Sequence, residues 1–225
     1  VPARRSMPSP TANQSPPKSA RPFSMIQTGI VAMVEHAIQR GPLDDYGNAF
    51  GALLDVGLHV AVAPQPAQIN LRGQPLDLAT ALAEACDGVM LALGVNDAAT
   101  GGAWHCLGLG PDEWLLVGPT DTGPEIAARL TGKLSAHHAS VVDVSSNRVA
   151  LDISGPCALA LFASLTSFDM ATLTPGRCAQ TMLAKAQVIM QSGTDPETVR
   201  VFVRTSFARY LADVIVDAAP FISAS

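Results

Sequence analysis

Apolar residues in the middle of the chain follow strand and helix periodicities in a fixed order. Between residues 58 and 85 the pattern predicts two short strands, a break at Gly73 and then an amphipathic helix. Residues 140–165 show the same order, with the break at Gly155. A proline follows closely after each glycine, and proline suits the start of a helix because the first turn needs no amide donor there.

The segments that come next also match each other. Residues 104–119 predict strand, turn and strand, and apolar residues at helical spacing follow over residues 124–134. Residues 188–205 repeat the strand-turn-strand pattern and lead into a predicted helix over residues 206–218. The second half of the chain therefore repeats the first in the order of its elements.

Together these segments form two pseudo-repeats of about 80 residues, at 58–135 and 140–218. Each has strands flanking two helices, which is the composition of a ferredoxin-like unit. The sequence therefore predicts an α+β fold with duplicated ferredoxin-like halves, within a domain that spans residues 58–225.

The first 57 residues have a different character. Residues 1–24 contain six prolines, five serines and no acidic residue, which predicts a disordered tail because little apolar area is available to offset the entropy of ordering. Residues 25–40 space their apolar side chains as a helix does, and Gly41 ends that pattern. We therefore interpret residues 25–57 as an N-terminal helix and a linker.

The stretch GPDEWLLVGP (110–119) allows two interpretations. Asp112 and Glu113 are either catalytic carboxylates beside an aromatic ring or the polar turn of a hairpin. Proline and aspartate suit a turn, because proline presets φ and aspartate can bond its own backbone. Adjacent strand residues point to opposite sides, so two neighbouring carboxylates do not converge on one substrate. We predict a hairpin turn, with Trp114 packed into the core.

Charge is scarce in this chain. Apolar residues make up 48% of the sequence and charged residues 15%, with a net charge of -5 and an isoelectric point of about 5.4. This balance excludes a nucleic-acid surface, which needs clustered lysine and arginine. No apolar run reaches the ~18 residues that a membrane span requires. The deficit of charge predicts a surface that is covered by a partner.

The four cysteines, Cys86, Cys106, Cys157 and Cys178, stand far apart and form no C-x-x-C pair. Their spacing matches no zinc-ligand pattern. We therefore expect buried thiols of a cytoplasmic protein.

Candidate catalytic and metal-binding residues are few. His105 and Cys106 are adjacent in a predicted strand and face opposite sides, so they cannot share a metal. His137 and His138 precede a strand and are expected in a solvated loop. The glycines of 108–110 lack the third glycine and the following helix of a dinucleotide-binding loop.

Two further sets of residues have alternative roles. Asp143 and Ser145 either orient a ligand or serve the turn before Asn147, and the turn is favoured. Three arginines beside predicted strands or turns are better candidates for ion pairs or an interface than for substrate clamps: Arg72, Arg148 and Arg177. No catalytic, cofactor-binding or metal-binding residue is assigned from these patterns.

Five segments of the chain resemble the γ subunit family of heterotetrameric sarcosine oxidase. They are PAQINLRG (66–73), LGPDEWLLVGP (109–119), VVDVSSNRVALDISGP (141–156), LTPGRCAQTMLAKA (173–186) and VRVFVRTSFARYLADVIVDA (199–218). With RGPL (40–43), the resemblance covers about residues 40–219. LGPDEWLL and PGRCAQT together make it specific.

The resemblance implies a subunit without a catalytic site of its own, in a bacterial cytoplasmic complex with α, β and δ subunits. Such a complex oxidatively demethylates sarcosine to glycine and hydrogen peroxide, and its one-carbon unit goes to tetrahydrofolate or leaves as formaldehyde. FAD, FMN, NAD and tetrahydrofolate are implied on the other subunits, and none on this chain. The implied fold is that of the folate-binding domain of the glycine-cleavage T-protein.

Two other functions stay open at this point. One is the same subunit role in a complex that acts on another N-methyl amino acid, such as N-methylglutamate. The other is a free-standing folate-binding protein of the T-protein type. A more distant resemblance, to the folate-binding protein family of iron–sulfur assembly, keeps Gly176, Cys178 and Gln180 of that family's motif and loses the rest.

Overall fold

A computed structural model describes residues 40–193 and 197–222. The predicted tail at 1–24, most of the predicted helix at 25–40 and the tip of the second hairpin at 194–196 lie outside the described residues. The five α-helices of the described residues are α1 (Gly47–Ala52), α2 (Pro75–Ala85), α3 (Gly123–Lys133), α4 (Ala158–Leu165) and α5 (Ala208–Ala218).

Ten strands are found within the described residues, in the chain order that the alternating pattern predicts and with two additions discussed below. They are β1 (His59–Val62), β2 (Ala67–Arg72), β3 (Ala98–Gly101), β4 (Trp104–Gly110), β5 (Glu113–Gly118), β6 (Ser140–Asp143), β7 (Arg148–Ser154), β8 (Cys178–Leu183), β9 (Ala186–Ser192) and β10 (Val199–Arg204). No helix in this part of the chain is long and apolar enough to cross a membrane.

The strands form two five-stranded antiparallel sheets of equivalent topology. The first sheet has the order β3-β4-β5-β2-β6, and the second has the order β8-β9-β10-β7-β1. In each sheet the four strands other than the edge strand β3 or β8 have the ferredoxin-like arrangement. The predicted α+β class with duplicated ferredoxin-like halves is therefore confirmed.

The two halves exchange one strand each. β1 precedes the first half in sequence but pairs with β7 of the second sheet, where His59 lies opposite Ser154. β6 precedes β7 in sequence but pairs with β2 of the first sheet, where Ile69 lies opposite Asp143. Each exchanged strand is joined to the next strand by four residues, so the chain crosses between the sheets twice over short distances.

Three apolar clusters form the core of the part of the chain that the structure describes. One packs the helices of the first half on the first sheet, and a second does the same in the second half. The third lies between the sheets and includes Leu107, Leu115, Ala150 and Phe202. In β10 the alternation is plain, because Val201 belongs to the helix-side cluster and Phe202 to the inter-sheet cluster.

The helix starts after the two glycine breaks differ in detail. Pro75 is the first residue of α2, as the pattern predicts. Pro156 lies two residues before the first residue of α4, and Cys157 occupies the N-cap position. Both glycines have positive φ, 155° at Gly73 and 105° at Gly155.

The pattern did not predict the edge strands β3 and β8. They meet at their starts, where Ala98 N–H donates to Gly176 O at 2.7 Å and Cys178 N–H donates to Asn96 O at 2.9 Å. β3 consists of small residues without a strong apolar alternation, so it carries little sequence signal of a strand. The contact joins the two sheets at one edge.

Candidate functional site

Trp114 is buried where β5 begins. Its indole Nε1–H donates to the carbonyl oxygen of Ala92 at 2.9 Å, and its ring belongs to the helix-side cluster of the first half. The hydrogen bond holds the loop between α2 and β3, which contains Ala92, against the sheet. The predicted role of Trp114 as a core residue is confirmed.

Replacing Trp114 with phenylalanine should lower the free energy of unfolding by about 1–3 kcal/mol, because the buried carbonyl of Ala92 loses its donor. Trp104→Phe is the matched control: Trp104 is equally buried, and no side-chain hydrogen bond of its indole is found within the described residues. Denaturant titration of both variants measures the difference. Equal midpoints for the two variants would contradict a role for the Ala92 hydrogen bond.

Asp112 and Glu113 have different roles at the hairpin. Asp112 lies in the turn, but Glu113 is the first residue of β5 and accepts hydrogen bonds from Asn70 at 2.8 Å and from Arg72 at 2.5 Å. The pKa of Glu113 is lowered: partial burial acts to raise it, but the bonds from Arg72 and Asn70 outweigh that effect. The side chain of Glu113 therefore links β5 to β2 by hydrogen bonds, and the residue directly follows the turn.

An apolar surface lies beside this hairpin. Leu93 is 93% exposed, Leu76 is 83% exposed and Met90 is 65% exposed, and Val95 is the fourth large apolar side chain here. We call these four residues the loop patch. Leu93 and Val95 line a cavity of about 300 Å³ together with Pro75, Pro111 and Trp114, and Leu76 and Met90 are chain neighbours of the lining residues Pro75 and Leu91. Several exposed large side chains around one concavity are typical of a binding surface.

A second apolar surface runs along β1, an edge strand of the second sheet. A groove of about 430 Å³ opens beside it, lined by residues that include Leu43, Phe50, Leu54 and Val62. Leu54 and Val62 are exposed. An open strand edge with apolar neighbours is a place where another chain can add contacts.

The four cysteines are all buried and free, as predicted. Burial raises the pKa of Cys106 to about 12 and the pKa of Cys86 and Cys178 to about 11. A neutral buried thiol is a poor nucleophile and a poor metal ligand. Cys178 has a structural role, since its Sγ–H donates to Asp97 O at 3.4 Å between the two sheets.

The histidines do not meet the thiols. Cys106 is fully buried, whereas His105 is partly exposed and its Nδ1 lies 3.2 Å from Thr100 Oγ1. Burial lowers the pKa of His105, and Arg200 adds to that effect. His137 is exposed and lies 3.1 Å from an oxygen of Asp77. Within residues 40–193 and 197–222, no group of three histidine, cysteine, aspartate or glutamate residues could hold a metal ion.

Asp143 and Ser145 serve the turn that follows β6. Asp143 Oδ1 accepts from the backbone N–H of Ser145 at 2.9 Å and from its hydroxyl at 2.5 Å. Ser145 Oγ in turn accepts from the N–H of Gln68 at 3.0 Å, and Asn147 N–H donates to Val144 O at 2.9 Å. The structure places both side chains as the turn interpretation predicts.

Among the candidate arginines and Gln180, all but one have a side-chain partner in the described part of the chain. Arg177 forms an ion pair with Asp97, and Gln180 Nε2 donates to Leu109 O at 3.0 Å. The glycines of 108–110 lie within β4 at a register shift rather than at a helix N-terminus. Arg148 is the exception, because no acceptor for its guanidinium is found in the described part of the chain.

The loop patch was not predicted from the sequence. Its loop, GVMLALGVND (88–97), is apolar but has neither helical nor strand spacing between its glycines. An aperiodic apolar loop is itself an unusual signal, since connections between elements are normally polar and solvated.

Comparison with known proteins gives consistent results. The model of the sarcosine oxidase, gamma subunit family matches residues 72–220. The chain is 31% identical over 163 residues to sarcosine oxidase subunit gamma of Corynebacterium sp. (strain U-96), an alignment that covers 70% of this chain and 77% of that protein. It is 32% identical over 114 residues to the subunit of the same name from strain P-1, covering 50% of this chain and 55% of that protein.

Two solved structures share the fold. A chain of heterotetrameric sarcosine oxidase from Corynebacterium sp. U-96, in complex with pyrrole 2-carboxylate, superposes with a TM-score of 0.73 at 27% identity, covering 84% of this chain and 98% of that chain. Glycine cleavage system aminomethyltransferase T from Bartonella henselae superposes with a TM-score of 0.56 at 16% identity, covering 76% of this chain and 49% of that one. The second likeness shows the fold alone.

Proposed function

Because the chain belongs to the sarcosine oxidase gamma subunit family, we propose that it is the non-catalytic γ subunit of a heterotetrameric sarcosine oxidase. The complex demethylates sarcosine to glycine: the N-methyl carbon is oxidised and leaves as formaldehyde or passes to tetrahydrofolate as the 5,10-methylene form, and oxygen is reduced to hydrogen peroxide. In this proposal the chain contributes contacts rather than reacting groups.

The loop patch is the observation that carries the subunit role. A leucine side chain gains about 1.5–3 kcal/mol when it moves from full exposure into an apolar environment. Leu76 and Leu93 are both more than four-fifths exposed, and one cavity is lined by Leu93 and by Pro75, the chain neighbour of Leu76, so a partner that covers both leucines gains from both at once. Obligate interfaces are apolar in this way. The low charge content of the chain agrees with such an interface.

Specific residues support the absence of chemistry on this chain. The thiols of Cys86, Cys106 and Cys178 are neutral because burial raises their pKa. The carboxylate of Glu113 accepts a hydrogen bond from Arg72 of the neighbouring strand, and that of Asp143 accepts one from Ser145 within a turn. Structural partners within the described residues are thus found for several of these candidates: Cys178, Glu113, Asp143 and Arg177.

We propose the α, β and δ subunits as partners, with FAD, FMN, NAD and tetrahydrofolate bound on those chains. Within this scheme residues 58–225 form the γ-like domain. The four free buried thiols support assembly in a reducing compartment such as the cytoplasm. Neither a membrane surface nor a nucleic acid has a part in the proposed function.

A substrate panel on the purified complex tests the reaction. The tagged chain is co-expressed with the other three subunits, and peroxide release is measured with sarcosine and, separately, with N-methylglutamate. We expect turnover of sarcosine by the complex and none by the tagged chain alone. Turnover of N-methylglutamate but not of sarcosine would assign the chain to a related complex with another substrate. Turnover by the chain alone would contradict the non-catalytic role.

A further inference from the structure

Two arginines face each other at the ends of neighbouring strands. Arg148 opens β7 and Arg204 closes β10, and the antiparallel register places them directly opposite each other. Like charges opposite each other in a sheet are destabilising unless an anion lies between or beside them. Arg148 is half-buried and Arg204 is exposed.

Neither guanidinium has a hydrogen-bond acceptor within residues 40–193 and 197–222. The other strand arginines differ: Arg72 pairs with Glu113, and Arg200 binds both oxygens of Asp152 at 2.7 and 2.8 Å. Arg148 and Arg204 therefore differ from these two arginines, each of which is paired with an acid on a neighbouring strand.

The nearest acid does not neutralise the pair. Glu113 already accepts from Arg72 and Asn70. Burial lowers the pKa of Arg148 and Arg204 lowers it further, whereas Glu113 acts in the opposite direction without overcoming them. A half-buried cation that stays uncompensated is costly, and a carboxylate partner would remove that cost.

A cavity of about 470 Å³ lies at this end of the strands. It is lined by the turn of residues 143–147, which leads directly into Arg148. The same turn is tied to the residue after Arg204, since Thr205 donates from its N–H to Asn147 O and from its hydroxyl to Ser146 O, each at 3.0 Å. Arg148 directly follows the last lining residue, Asn147, and Arg204 directly precedes Thr205, so both arginines adjoin the turn that lines this cavity.

One acid connects Arg148 with the hairpin that carries Pro111. Glu113, which interacts with Arg148, is two residues from Pro111, and Pro111 lines the cavity of the loop patch. Arg148 is thus linked through Glu113 to the hairpin at one side of the cavity of the loop patch. Apolar centres with charged margins are the usual anatomy of interfaces, and arginine is enriched there.

We propose that Arg148 and Arg204 together bind a carboxylate of a partner subunit, either an aspartate or glutamate side chain or a chain terminus. The inference rests on the proposed function, because it needs a partner subunit. Two guanidinium groups offer planar, forked donors that match a carboxylate. The contact would set the orientation of the partner as well as add affinity.

The test measures assembly of the co-expressed complex. Arg148→Gln with Arg204→Gln should weaken binding of the chain to its partners by about 10- to 100-fold, because the carboxylate would lose its donors. It should also reduce the dependence of that binding on ionic strength. Arg129→Gln is the matched control: Arg129 lies on α3, and its guanidinium donates to the backbone carbonyl of Glu84. Two further variants separate a loss of binding from a loss of folding. Arg204→Gln changes only an exposed side chain, and Arg148→Lys keeps the positive charge at the half-buried position.

The outcomes separate this inference from the proposed function. If the wild-type chain does not assemble, the proposed function fails. If the wild type assembles and the double variant binds with the same affinity and salt dependence, the carboxylate contact is overturned. Equal weakening by Arg129→Gln would also overturn it. In a last experiment, phosphate is added to the complex. If phosphate stabilises the complex through these arginines without affecting assembly, the site binds a free anion and not a partner.

Discussion

Gly155→Val is expected to destabilise the chain by about 2–5 kcal/mol, since it adds backbone strain and a steric clash at one position. Gly155 has φ of 105°, a conformation that residues with a Cβ rarely adopt. A Cβ there would lie 2.6 Å from the carbonyl oxygen of Gly57. Both costs arise from the backbone, so a side-chain rotation cannot relieve them.

The backbone around Gly57 cannot move away easily. Its carbonyl accepts the N–H of Cys157 at 3.1 Å, at the start of α4. Two residues later β1 begins, and it is held by its register with β7, which ends at Ser154. The clash thus falls where the exchanged strand enters the second sheet, and relieving it would loosen that exchange.

Two other glycines provide the comparison. A Cβ on Gly73 would meet Ala139 Cβ at 3.2 Å and His138 O at 3.3 Å, so Gly73→Val should cost less than Gly155→Val. Gly132 lies in α3 with nothing within 4 Å, so Gly132→Ala should be neutral or stabilise the chain by about 0.5–1 kcal/mol. Urea titration of the three variants gives the order. A wild-type midpoint for Gly155→Val would contradict the tight contact at Gly57.

The exchange of β1 and β6 shows what the sequence could not provide. Alternating apolar residues predict that both segments are strands, because a strand with one buried face has period two. The pairing partner depends on contacts that are distant in sequence, and the same alternation fits either sheet. The two glycine breaks were predictable, since tight strand-to-helix turns need residues without a Cβ.

The sequence predicts that part of the surface is covered by a partner, but it does not predict which residues form that part. Few charges and many apolar residues predict that some surface is covered, whereas nothing in that composition points to Leu93. Its loop has no periodicity, and its position depends on a hydrogen bond from Trp114 to Ala92 across 22 residues. Glu113 was interpreted as part of a turn because its partners Asn70 and Arg72 come from a strand that is adjacent only in the folded chain.

Leu93→Asp should prevent the chain from binding its partners, with a loss of affinity of at least about 30-fold, because a charge would be buried in the centre of an apolar contact. Leu93 is 93% exposed and its change should leave the fold of the chain intact. Leu159→Asp is the matched control, since Leu159 is 65% exposed on α4, in the other half of the chain. Co-purification and calorimetry with the partner subunits measure the difference.

The control also determines how specific the result is. If Leu159→Asp weakens binding as much as Leu93→Asp, the loop patch is not the centre of the interface. If Leu93→Asp binds like the wild type, the groove beside β1, with Leu54 and Val62, becomes the surface to change next. Leu76→Asp, next to Pro75 at the cavity that Leu93 lines, should reproduce the loss if the loop patch is the interface.

The central claim is that this chain acts as a subunit, and the native mass of the co-expressed material tests it most directly. The four chains are expressed together, purified through a tag on this chain, and their mass is measured under non-denaturing conditions alongside sarcosine-dependent peroxide release. We expect a single active assembly that contains this chain and all three partners. A monomeric chain, with the other three subunits forming an equally active complex without it, would contradict the claim.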